Sequence, residues 1–150
     1  MARAYAASGP SESGTADKTA VTIIAATTVR PAIFDAILGS VTAPADVAIL
    51  AFLARFTAAG TAASNPVPEP LDAAEAAALA TAGITHSAEP TYTANKMLVR
   101  FAFNQRNTVR WVAAPGCELR APATAANGIG AKISTAGSAV ILQASLMFAE

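Results

Sequence analysis

The chain has 150 residues, ten Lys+Arg against ten Asp+Glu, one His and one Cys. This is one domain's worth of polypeptide, and a zero formal charge without clustered Lys/Arg argues against a nucleic-acid surface, which works by releasing counterions from phosphates. A single Cys forms neither an internal disulfide nor a Cys-based zinc site, and a single His leaves no His cluster, so no metal or cofactor is expected. Charged residues are 13% of the chain and apolar residues 53%, and that charged share is about half of what soluble domains carry. So few charges, with no net charge to keep copies apart, predict a subunit packed against neighbours.

Residues 1–18 are Ala/Ser/Gly-rich with Pro10, too poor in bulk to bury themselves, and are expected to form an extended N-terminal arm ordered by a partner. Residues 19–150 form the expected folded domain. Its first strand alternates Val21, Ile23 and Ala25 with Thr22 and Ala26, the period of a half-buried strand. Pro31 to Leu38, stopped by Gly39, is expected as a short helix. Val47 to Phe56 fits both periods and is read as a strand, because Leu50, Phe52, Ala54 and Phe56 alternate. A clear helix is predicted over Asp72 to Thr81: acidic Asp72 and Glu75 open it, its interior is nearly all Ala, and Gly83 lies beyond its end.

The cleanest alternation follows, with Met97, Val99, Phe101 and Phe103 opposite Leu98, Arg100, Ala102 and Asn104. A polar break at 104–107 leads to Val109, Trp111 and Ala113, and the last strand sets Val140, Leu142, Ala144, Leu146 and Phe148 on one face. Short strands with turn residues between them describe a mostly β protein, an antiparallel β-sandwich with one or two short helices. A jelly-roll-like topology is expected, although alternation alone serves an immunoglobulin-like sandwich equally well. No stretch of about 20 apolar residues is present, so no membrane span is expected.

Candidate chemistry is sparse. His86 and Cys117 would make a thiol–imidazole pair only if the fold brought them together, and a turn cysteine with a loop histidine is the simpler reading. Asp72 and Glu75 fit helix capping better than an acid/base pair. Gly128-Ile129-Gly130 lacks the third glycine and the lysine of phosphate-binding loops. Arg100, Arg106, Arg110 and Trp111 are the one basic and aromatic concentration. A single-strand stacking platform would use such residues, but in a neutral chain they read as protein–protein contacts, with Trp111 filling the core and the arginines bridging to a neighbour. No catalytic residue is expected, and the chain is read as non-enzymatic.

The strings NQR, RWVAAPG, EL and PATAANGIG between Phe103 and Gly130, with TVRPAIFD and EPTYTAN upstream, resemble a group of small Ala/Thr-rich proteins encoded in bacteriophage and prophage structural gene regions. The resemblance covers about residues 19–133. It implies a virion structural component with a β-sandwich core: a capsid decoration or cement protein, assembled as a homo-oligomer, a trimer by preference, on the major capsid protein, and made in the host cytoplasm. Two alternatives remain at this stage: a self-assembling sheath, fibre or tail component, and a small β-sandwich binding module.

Overall fold

The computed structural model describes residues 3–150, all of them in strands, turns and loops. Twelve strands follow one another: β1 (Ala4–Pro10), β2 (Thr19–Ile24), β3 (Ala32–Val41), β4 (Ala48–Ala58), β5 (Thr61–Ser64), β6 (Glu69–Pro70), β7 (Thr81–Ala88), β8 (Thr91–Asn104), β9 (Val109–Val112), β10 (Leu119–Arg120), β11 (Gly128–Ala136) and β12 (Ile141–Ala149). They make two six-stranded antiparallel sheets. The first runs β10-β3-β12-β1-β6, with β9 also paired to β3; the second runs β5-β7-β2-β11-β4-β8.

The sheets pack face to face because their strands alternate. Ile33, Leu38, Leu142, Leu146 and Phe148 of the first sheet meet Val21, Ile23, Ile49, Leu53, Ile129 and Ile133 of the second in one buried cluster. Successive strand residues point to opposite faces, so this inward set fixes the register of both sheets. The alternations read at 97–103 and 140–148 and the strand reading of 47–56 match β8, β12 and β4.

Both helices expected from the sequence are absent among the described residues, each for a local reason. Ile33, Phe34 and Ile37 suit a pleated, half-buried surface, and residues 32–41 form β3, paired along its length with β12. Around Asp72 a turn does start, with the Ala74 amide donating to Asp72 Oδ1 at 3.0 Å and the Glu75 amide to the Asp72 carbonyl. It does not propagate. A helix there would need the Ala80 N–H to donate to the Ala76 carbonyl, but the Tyr5 hydroxyl occupies that carbonyl at 3.0 Å and the Ala80 N–H donates to the Glu150 carboxylate at 3.0 Å. Ten Ala-rich residues are marginal as a helix on their own, so two anchors suffice to divert them.

The expected N-terminal arm also needs correction. From Ala4 onward, β1 is an inner strand, antiparallel to β12 over seven residue pairs and flanked by β6. Tyr5 is fully buried, its ring stacked on Phe148 at 5.6 Å. Small residues do not prevent pairing where a neighbouring strand supplies the hydrogen bonds and one large side chain reaches the core. Met1 and Ala2 lie outside the described residues.

Candidate interaction surface

The four residues expected to form one basic and aromatic site are separated by the fold. Arg100 projects from β8 in the second sheet, Arg106 lies in the turn after it, and Arg110 and Trp111 are on β9 in the first sheet. Arg106 is pinned locally, its Nε donating to the Pro44 carbonyl at 3.4 Å. The Arg110 guanidinium clasps Asp35 through Nε, at 3.0 Å to Oδ1 and 3.1 Å to Oδ2, and through Nη2. This pairing holds Arg110 above the ordinary arginine pKa, through its hydrogen bonds with Asp35. Trp111 is half-buried and packs on the core from the sheet edge rather than filling it. Adjacent strand residues point opposite ways, so Arg110 and Trp111 share no face.

His86 and Cys117 are likewise apart. Cys117 is exposed in a turn closed by its amide on the Ala114 carbonyl at 2.9 Å. His86 belongs to β7, not to a loop, and is 1% exposed.

Sequence reasoning missed what surrounds His86. The outer face of the second sheet is covered by the start of β8, which folds Tyr92 back over the sheet. Its ring meets Phe52 and Phe56 edge-on at 6.2 and 6.0 Å, its hydroxyl lies 3.0 Å from Thr19 Oγ1, and the Lys132 ammonium sits 4.8 Å from its centroid. Beneath, the buried Thr22 Oγ1 stands 3.4 Å from His86 Nε2, and Glu89 accepts the Thr19 N–H at 3.0 Å. Burial pushes the Tyr92 hydroxyl well above its ordinary pKa and draws His86 below its own, against the pull of Glu89. The His86 Nδ1 and Glu89 Oε1 atoms are buried with no hydrogen-bond partner among the described residues. These groups lock a strand onto a sheet; His86 is too deeply enclosed to meet a solute.

This cover explains Gly128 and Gly130. Both lie in β11 facing outward, and a Cβ at Gly130 would collide with the Tyr92 hydroxyl, one at Gly128 with the Ile23 carbonyl and the Phe56 ring. The glycines make room for aromatic rings, not for phosphate.

The opposite face of the molecule has another character. The three central strands of the first sheet, β1, β12 and β3, carry a single charged side chain, Asp35, which Arg110 neutralises. Outward positions are mostly small or apolar, Ala6, Ser8, Ile37, Ile141, Ser145 and Met147, with Gln143 the one long polar side chain of β12 among them, all partly or fully open to solvent. The Ser8 hydroxyl donates to Ser145 Oγ at 2.8 Å, so two of the polar groups there satisfy each other. Three strands about 4.8 Å apart, of seven, nine and ten residues at about 3.3 Å each, present roughly 400 Å². The largest apolar patch of a single chain is ordinarily of about that size, and is often functional. At one end this face borders a depression of about 270 Å³ lined by Arg30, Phe34, Glu118, Arg120 and Glu150. No protein-family model matches the chain, and no curated protein or solved structure is significantly similar to it.

Proposed function

We propose that the protein is a non-enzymatic structural subunit of a bacteriophage or prophage virion, a capsid decoration or cement protein that docks its uncharged β1-β12-β3 face on the major capsid lattice. The observation that carries this reading is that face: three long strands with one charge, and that charge cancelled within the chain. Burying it removes apolar area from water at about 25 cal/mol per Å² without desolvating an unpaired ion. The sequence likeness to phage structural proteins supplies the setting.

Strand order adds support from architecture. Setting aside β5, β6, β7 and β10, the first sheet reads β1-β12-β3-β9 and the second β2-β11-β4-β8. That interleaving supports reading the sandwich as jelly-roll-like, two Greek keys of four strands each, an architecture common among capsid proteins. Fold alone does not assign function, and here it agrees with a surface built for contact.

The test is co-purification. Particles isolated from cells producing the chain, analysed by quantitative mass spectrometry, contain it in fixed ratio to the major capsid protein. A chain found only in the soluble fraction, at every stage of particle production, refutes the proposal.

A further inference from the structure

Open sheet edges invite pairing with another chain, and proteins ordinarily blunt them with short strands, proline, bulges or charge. Four of this protein's edge strands follow that rule: β5 and β9 have four residues each, and β6 and β10 two each, with Pro70 in β6. The fifth does not. β8 has 14 residues, lies at the end of its sheet, and pairs only with β4. Its N-terminal part is bulged, but from Val99 to Asn104 the register against Leu53 to Ala48 is unbroken, and that stretch contains no proline.

The phase of the ladder identifies the free groups. The Gln105 amide donates to the Val47 carbonyl at 3.0 Å, and antiparallel pairs alternate between bonded and non-bonded. Phe103, Phe101 and Val99 therefore bond to β4, while the backbone groups of Arg100 and Ala102 and the Asn104 N–H point away from it; the Asn104 carbonyl already accepts the Asn107 amide at 2.9 Å and meets a second donor with its other lone pair.

We propose that β8 pairs antiparallel with β8 of a second copy of this chain, about a two-fold axis through Ala102. In this register Ala102 faces Ala102 as a hydrogen-bonded pair, the smallest side chain of the stretch standing on the axis, and Arg100 faces Asn104 of the other copy. Asn104 Nδ2 donates to Asp46 Oδ1 at 2.6 Å, so a carboxylate with no cationic partner among the described residues waits beside that position. Arg100 likewise has no carboxylate among the described residues, its Nε meeting only Met97 Sδ at 3.1 Å. The pairing brings these two exposed charges together twice. A register centred on Arg100 would instead oppose two like charges, which is destabilising. The contact is isologous and closes at two copies, in contrast to the trimer implied by the phage resemblance. It uses a different surface from the β1-β12-β3 face and does not rest on the virion reading.

Light scattering coupled to size exclusion tests it. The full chain elutes at twice the 15.0 kDa of one copy. Ala102→Pro removes an N–H that β4 does not use and places a ring against the incoming strand; the variant elutes at the mass of one copy with an unchanged circular dichroism spectrum. Should that variant not fold, Ala102→Cys with Cys117→Ser decides: under mild oxidation it forms a disulfide-linked pair, because paired strand residues lie within disulfide reach. A monomeric or trimeric wild type overturns the proposal, and so does a dimer that Ala102→Pro leaves intact or that Ala102→Cys fails to cross-link.

Discussion

Gly130→Ala probes how the second sheet is closed over. The added methyl lands on the Tyr92 hydroxyl, with Thr22 Cγ2 a further 3.2 Å neighbour, so Tyr92 must move. Overpacking a filled site costs about 1–3 kcal/mol. Displacing the hydroxyl also breaks its hydrogen bond with Thr19, and leaving a buried hydroxyl unpaired adds about 1 kcal/mol or more. The total is about 2–4 kcal/mol, which for a chain of this size lowers Tm by roughly 5–15 °C. Urea unfolding followed by Trp111 fluorescence and far-ultraviolet circular dichroism measures it. The diagnostic is a double-mutant cycle. Tyr92→Phe removes the oxygen that the methyl strikes, so Gly130→Ala in that background costs at least about 1 kcal/mol less than in the wild type. Equal costs in both backgrounds would refute the claim that Gly130 exists to seat Tyr92.

Other expectations follow from the same contacts. A chain starting at residue 19 loses β1 and with it Tyr5, and fails to give a cooperative unfolding transition; Tyr5→Ala alone costs about 3–5 kcal/mol by denaturant titration. Because burial holds His86 neutral in the folded state, the unfolded chain binds the extra proton first. Stability is therefore full above pH 6.5 and falls as pH drops through 6.5 toward the lower folded value; a series of unfolding curves shows this slope, and His86→Gln flattens it. Glu150→Gln weakens the carboxylate that receives the Leu79 and Ala80 N–H groups at 2.7 and 3.0 Å, speeding hydrogen exchange at those two amides at a cost of about 1 kcal/mol.

The sequence made some elements legible and hid others for physical reasons. β8 and β12 could be read because bulky apolar residues recur inward at every second position, Val99, Phe101 and Phe103 in one and Leu142, Leu146 and Phe148 in the other, with polar residues such as Arg100, Asn104, Gln143 and Ser145 between them. β1 could not, because its inward residues after Tyr5 are Ala7 and Gly9, and a strand of small residues has no visible period. The segment at 72–81 misled because helix propensity is local while the hydroxyl of Tyr5 and the carboxylate of Glu150, about 70 residues away in either direction, decide it. At Gly128 and Gly130 the pattern suggested a loop, and only the long-range approach of Tyr92 to Gly130, and of the Ile23 carbonyl and the Phe56 ring to Gly128, explains why glycine is needed in a strand. The basic and aromatic residues were visible as a sequence cluster from Arg100 to Trp111, but the chain crosses from one sheet to the other between β8 and β9 and so divides them. The scarcity of charge was present in the composition from the start; what composition could not supply was that the three central strands of one sheet carry a single charge, paired within the chain.

The account stands most directly on that side. Ala6→Glu together with Ile141→Glu places two like charges, on residues that do not face each other across the strands, on the outward face of β1 and β12 without touching the core, and Thr57→Glu places one on the exposed end of β4 as a control. The measurement is occupancy of the chain on isolated particles, by quantitative mass spectrometry, for the three versions. The account predicts that the double variant is lost from particles while the Thr57→Glu chain is retained at the wild-type ratio; equal occupancy of all three would contradict it.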